Sequence, residues 1–269
     1  MKITRETYHF VHNIYDKRNI IFDLAKRDFH NQYAGSVLGI VWVYLQPLLF
    51  IAMIYIVFTF GFRTRPSSEI PFAAWLISGM IAWFFFSGNF STGVNVIKKY
   101  NYLIKKVNFR LSILPLVTLL SSYIPHFVFV LTAIFVSYVS GIEITLYVIQ
   151  VLYYLFAMSI LLMGLNWLTS ATNIFLPDVG KLVGVVVQFG FWLTPIFWNS
   201  AMIPKKYQWL VGLNPMAYIV NGYRDSIIYQ IGFWQKPYET LVFWVISLFF
   251  CVIGALVFRK LRPHFAEVV

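Results

Sequence analysis

Six long stretches of this chain carry no charge, and that spacing constrains the fold more than any other feature. Val37 to Phe60, Ala73 to Thr92, Leu111 to Val139, Thr145 to Thr172, Leu182 to Trp198 and Thr240 to Phe258 contain no Asp, Glu, Lys or Arg. A helix needs about 20 apolar residues to cross a ~30 Å hydrocarbon core. It is also one of only two structures that satisfy their own backbone polar groups there. All six stretches qualify, the fifth with the least length. They predict an all-α integral membrane protein with six transmembrane helices. Pro115 and Pro125 mark the start of the third span and a kink within it, because proline removes a backbone hydrogen bond and crowds the preceding turn.

Composition excludes the main alternatives. Only 12% of the 269 residues are charged and 20% are aromatic, far from a soluble domain at about 25% charged. A soluble enzyme, a disordered tail and a disulfide scaffold are all poor fits, and the single cysteine, Cys251, lies inside an apolar run. The net charge of +11 raises the question of nucleic acid, but the basic residues flank apolar runs and do not line one face of a domain. Residues 1–32 place Arg5, Glu6, Asp16, Lys17, Arg18 and Asp23 where a secretory leader needs an apolar core, so no cleaved signal is expected. Counted on alternate sides of the spans, fifteen Lys and Arg fall with both termini and six fall opposite. The positive-inside rule then puts both termini in the cytoplasm.

Three segments outside the spans are informative. Within residues 1–36, Phe22, Ala25, Phe29 and Tyr33 recur three to four apart between Lys26, Arg27 and His30, which predicts an amphipathic helix over Arg18 to Tyr33 on the cytoplasmic interface. Residues 96–110, VIKKYNYLIKKVNFR, alternate two Lys-Lys pairs with apolar residues. That pattern suits either an anchor beside anionic lipid or a docking surface for a cytoplasmic partner. Residues 199–239 form a segment opposite the termini whose apolar patch, Gln208 to Val220, is too short to span and is broken at Asn214-Pro215. With its many aromatics it reads as a re-entrant or interfacial helical pair in preference to an ordinary outer loop.

The chemistry that is missing also discriminates. His126 is the one group able to titrate inside a span, and a hydrogen bond to a neighbouring carbonyl suits it better than a proton relay, which needs partner groups. No paired carboxylates, no metal-ligand spacing and no phosphate-binding loop occur. No catalytic or metal residue is therefore assigned, and any work the protein performs draws on another chain. Aromatics crowd the spans, where they act as interfacial belts or as stacking faces for sugar rings. Gly35-x-x-x-Gly39 and Gly180-x-x-x-Gly184 are small-residue spacings at span edges.

Arg27-Asp28-Phe29, Tyr33, Ser36, Leu38-Gly39, Trp42 and Pro47-Leu48 open a resemblance that continues along nearly the whole chain. It runs through Asn101 to Lys106, Pro177-Asp178, Thr194-Pro195-Ile196-Phe197, Ile203-Pro204 and Asn214-Pro215. In order and spacing the chain resembles the permease subunits of ABC transporters that export polysaccharide: O-antigen, capsule and teichoic acid.

The resemblance implies a homodimer in the bacterial cytoplasmic membrane. Two copies of a separate nucleotide-binding ATPase subunit, which carry ATP and Mg, would drive a lipid-linked polysaccharide, O-antigen in first place, across it; this chain would hold no cofactor. It implies that the amphipathic helix and the loop after span 2 receive the ATPase, with Lys98, Lys99, Tyr100, Lys105, Lys106 and Phe109 as docking residues. It also implies that residues 202–233 close the outer side. A long glycan needs a continuous stacking path, for which Tyr55, Phe58, Phe191, Trp192, Phe197 and Trp198 are the candidates. Arg18, Lys26 and Arg27 suit contact with a lipid pyrophosphate or simple anchoring to anionic headgroups. The alternatives are a capsule or teichoic-acid permease, or a membrane enzyme acting on a lipid-linked sugar. For the enzyme, Arg224 and Asp225 are the polar pair, although an outer-surface structural pair explains them better.

Overall fold

The structure, a computed structural model, describes residues 15–33, 38–61, 70–103 and 110–268. Its regular elements are helices, with no strand among the described residues. They are α1 (Arg18–Tyr33), α2 (Val41–Ile56, widened into a further turn to Gly61), α3 (Phe72–Gly93), α4 (Leu114–Val139), α5 (Gln150–Phe175), α6 (Asp178–Leu193), α7 (Pro215–Arg224) and α8 (Pro237–Leu261). Five helical stretches are long and apolar enough to cross a membrane: Val41–Gly61, Phe72–Gly93, Leu111–Val139, Leu146–Phe175 and Pro237–Glu267.

The chain is organised around α3. That helix is buried on nearly every side, from Phe72 to Gly93, and packs against α2, α4, α5, α6 and α7. A helix apolar all round belongs in an interior, and the small residues Ala74, Gly79 and Ala82 let its neighbours close in. Polar side chains then fix the register: Asn166 on α5 donates to Asn89 Oδ1 at 2.8 Å, and Asn89 donates to Ser122 on α4 at 3.2 Å. In lipid such bonds between helices contribute about 0.6 kcal/mol each.

α5 and α8 cross tightly at Gly164 and Gly254. A Cβ on Gly164 would sit 2.6 Å from the Phe250 carbonyl carbon, and one on Gly254 would collide with the Gly164 carbonyl oxygen. This contact differs from the spacings picked out in the sequence. Gly184 faces open space, Gly39 serves a positive φ of 45°, and Gly35 lies outside the described residues. The glycines that matter sit ninety positions apart on two helices, where no local motif flags them.

The face of α1 buried against the protein is Ile21, Ala25, Asp28 and Phe29, seated on Ile113 and Val117 at the start of α4, and Phe22 is 63% exposed. One expectation needs correction: the fifth stretch, expected over Leu182 to Trp198, is a helix over Asp178–Leu193 followed by irregular chain. At a ~1.5 Å rise, its 16 residues reach only about 24 Å. Leu114–Val139 keeps Pro115 in its first turn and Pro125 inside, as the sequence predicts.

Replacing Gly164 with Leu drives a side chain into the α8 backbone and is expected to destabilise the protein by roughly 1–3 kcal/mol or more. Thermal unfolding of the detergent-solubilised chain checks this, with Gly184→Ala, which meets open space, expected to leave the midpoint in place.

Candidate functional site

Where α6 stops, the chain leaves backbone carbonyls without helical partners. Thr194 is extended (ψ 137°) because Pro195 follows it, and a residue before proline is pushed out of the helical region. The break orphans the carbonyls of Pro195 and Ile196. Arg224, at the end of α7 and 2% exposed, takes both, Pro195 O at 2.7 Å and Ile196 O at 2.5 Å, while its Nε donates to Trp75 O at 3.2 Å. Its guanidinium also lies 3.4 Å from the centre of the Trp75 ring. Gly79 leaves room for it, since a Cβ there would stand 2.6 Å from an Arg224 nitrogen.

Beside it, Asn214 caps α7 by accepting from Met216 N, Pro215 fills the first helical position, and Asn214 Nδ2 reaches Thr194 Oγ1 at 2.9 Å. Asn214-Pro215 thus starts a helix in the pattern asparagine caps and N-terminal prolines favour. Arg224 and Asp225 therefore do not form the surface pair expected of them. Both are buried, Arg224 is committed to carbonyls and Asp225 pairs with Lys236.

The remainder of this end is closed by aromatics. Tyr153 stacks on Phe233 at 4.1 Å, and its hydroxyl meets Tyr218 at 3.1 Å and accepts from Trp244 at 3.0 Å. His126 Nε2 lies 2.8 Å from the Tyr223 hydroxyl, so its partner is a side chain of α7 and not a carbonyl.

Between α2, α3, α4 and α6 lies a cavity of about 860 Å³. Trp42, Phe50, Trp83, Phe191 and Trp192 supply aromatic walls, Gln46, Asn89, Ser122, His126 and Gln188 supply hydrogen-bonding groups, and no Asp, Glu, Lys or Arg lines it. Of the six aromatics expected on a path, Phe191 and Trp192 lie on its wall. The others pack just beyond it: Phe197 touches Phe191 at 5.5 Å, Phe58 touches Phe197 at 5.1 Å, Tyr55 stacks on Phe72 at 5.9 Å, and Trp198 Nε1 donates to Trp192 O at 3.0 Å. Trp42, Trp83 and the amides were missed as lining residues because they converge only when four helices pack.

At the opposite end, the segment after α3 is held by a buried carboxylate. Asp28 on α1, 2% exposed, pairs with Lys99, accepts from the Tyr100 hydroxyl at 2.9 Å and meets Ser121 Oγ at 3.3 Å. Burial and the neighbouring carboxylate push the Tyr100 phenol well above its ordinary range, which keeps it a donor. Of the expected docking residues, Lys98 is part-exposed, Lys99 is half-exposed and tied to Asp28, and Tyr100 points inward. Lys105, Lys106 and Phe109 lie outside the described residues. Lys26 and Arg27 are exposed on α1, and Arg18 donates to Tyr15 O at 3.1 Å. The sequence marks Asp28 only as part of the Arg27-Asp28-Phe29 run and gives it no role, because it falls among many charges in the N-terminal segment. Among the described residues no group of His, Cys, Asp or Glu is placed to hold a metal.

Apolar helices long enough to cross a membrane, packed around an uncharged lateral cavity, make this a multi-pass membrane protein. Residues 21–228 match the model of the ABC-2 type transporter family, and the chain belongs to that family. It is 27% identical to the O-antigen export system permease protein RfbA of Klebsiella pneumoniae, over 93% of this chain and 96% of that protein. It is 25% identical to the protein of the same name from Myxococcus xanthus, over 96% and 98%. With the polysialic acid transport protein KpsM of Escherichia coli it shares 22%, over 76% and 80%.

Arg224→Met strands the carbonyls of Pro195 and Ile196, while Trp75 O keeps its bond within α3, and is expected to cost about 2 kcal/mol or more, since each unsatisfied buried group costs roughly 1–3 kcal/mol. Arg224→Lys restores little, because one ammonium cannot span the fork. Equilibrium unfolding in mixed micelles measures both, and Asp178→Asn, at an exposed surface pair, serves as the neutral reference.

Proposed function

We propose that this chain is the membrane-spanning permease subunit of an ATP-driven exporter that moves lipid-linked polysaccharide, of the O-antigen kind, across the bacterial cytoplasmic membrane. It works as a homodimer with two copies of a separate ATPase subunit that bind ATP and Mg. In this reading α6 and the irregular chain after it form the fifth of six spans, both termini are cytoplasmic, and residues 199–239 form a re-entrant pair on the outer side.

The observation that carries the reading is the uncharged cavity walled by aromatics and amides. A sugar polymer presents alternating apolar ring faces and hydroxyls. Indole and phenyl faces hold the first without fixing their position, and Gln46, Asn89, Ser122 and Gln188 exchange hydrogen bonds with the second. Charged walls would grip a polar chain; these allow it to slide. A site of this kind suits processive passage better than one tight complex, and the export permeases among the relatives favour the same substrate class.

The platform at the cytoplasmic end supports the partner. α1, Val96–Lys99 and Asn101–Leu103 present Lys26, Arg27 and Lys98 to solvent, a surface suited to an ATPase subunit or to anionic headgroups beside it. Lys99 and Tyr100 contribute by holding that surface to α1 through Asp28.

The test is purification of the chain with its ATPase subunit and complementation of cells lacking the chain. A stable two-plus-two complex is expected. Phe191→Leu with Trp192→Leu is expected to keep that complex and lower surface glycan roughly tenfold, as loss of two stacking faces at about 0.5–1.5 kcal/mol each implies. Phe189→Leu, exposed and off the cavity wall, is expected to leave export unchanged. A monomer that binds no ATPase contradicts the proposal.

A further inference from the structure

The segment that follows α3 and the helix that walls the cavity meet on one buried side chain. Asn173, in the last turn of α5, is 1% exposed. Its amide nitrogen donates to Val94 O at 3.0 Å and to Asn95 Oδ1 at 3.0 Å. Its amide oxygen accepts from Gly180 N at 3.1 Å. Val94 and Asn95 lead directly into the turn Val96–Lys99. Gly180 stands in the first turn of α6, the helix that gives Val187, Gln188, Phe191 and Trp192 to the cavity wall.

Each bond has a local reason. The first turn of a helix has backbone N–H groups without helical acceptors, and Asn173 Oδ1 supplies one across the short link Leu176-Pro177, sharing the Gly180 N–H with Pro177 O at 3.2 Å. The end of α3 has unfilled carbonyls for the same reason, and Asn173 Nδ2 serves one of them. A Cβ at Gly180 would fall 3.2 Å from Asn173 Oδ1, so the glycine allows the approach. One planar amide thus bridges three elements, the end of α3, the end of α5 and the start of α6.

We propose that Asn173 is the positioning residue that ties the cytoplasmic docking segment to α6, so that a displacement of that segment is delivered to the aromatic wall of the cavity. The proposal rests on the permease reading above. It gives α6 a driven end at Gly180 and a held end at Thr194–Ile196, where Arg224 grips the broken chain.

The experiment uses the full chain with its ATPase subunit in nanodiscs, on a Cys251→Ser background. Nitroxides are placed through Tyr102→Cys and Lys181→Cys, both exposed positions. Between the ADP state and the ATP–vanadate state, the 102–181 distance is expected to hold within ~2 Å, the scale of small helix shifts, when Asn173 is present. It is expected to shift or broaden beyond that in Asn173→Leu and in Asn173→Ala, the second variant removing the bonds without adding bulk. In complemented cells both variants are expected to export roughly tenfold less surface glycan while the complex still hydrolyses ATP, a loss within the range of ordinary coupling free energies. A lesion that is merely structural would lower complex yield and hydrolysis in parallel and leave their ratio to export unchanged, which overturns the proposal. So does a distance that changes with Asn173 in place, or variants that keep it constant. A chain with Asn173 intact that neither binds the ATPase nor restores export overturns the permease reading itself, and the proposal with it.

Discussion

The structure depends on how one guanidinium resolves a broken helix. A proline at position 195 stops α6 before it has reached the length of a full crossing, and the carbonyls of Pro195 and Ile196 beyond it are left to a side chain. Burying an arginine is costly unless each of its donors is used, and here the two deficits cancel: Arg224 gives its N–H groups to Trp75, Pro195 and Ile196. That exchange fixes α7 against α3 and α6 at once. It also explains Gly79, which vacates the space the guanidinium occupies, and the stacking of Trp75 beneath it. Irregular backbone buried in a protein needs hydrogen-bond partners there, and Arg224 supplies them to Pro195 and Ile196.

The same logic recurs at the other end with the opposite sign of charge. Asp28 is buried by α1, and Lys99, Tyr100 and Ser121 converge on it. A carboxylate with a cation and two hydroxyls is well satisfied, and the result is a platform built from three separate elements. Between these two polar anchors the helices pack with uncharged amides and hydroxyls, and the cavity they enclose inherits that neutrality.

How much of this was legible in the sequence follows from the range of the interactions. Charge-free runs are local, so five crossing helices were found close to their boundaries, with Pro115 and Asn214-Pro215 marking helix starts as their backbone chemistry requires. Of the stripe picked out on α1, Ala25 and Phe29 are buried on the protein and Phe22 is exposed, and Ile21 joins the buried face only through packing against the start of α4. The fifth stretch was drawn through its own break, since Thr194 to Trp198 is as apolar as a helix interior and only Pro195 betrays the change. Arg224 and Asp225 were read as surface groups because hydropathy cannot see the acceptors that bury them. The Gly164–Gly254 crossing and the convergence of Trp42, Trp83 and Trp192 on one cavity join residues far apart in the chain, and no local pattern encodes them.

The central claim is that the space between α2, α3, α4 and α6 carries the glycan. The most direct measurement is an electron cryomicroscopy map of the complete complex with its ATPase, halted during export by a non-hydrolysable nucleotide. The account predicts sugar density along that space, with rings against Phe191 and Trp192 and hydroxyls near Gln188 and Asn89. Lipid acyl chains filling the same space, with sugar density elsewhere, would contradict it.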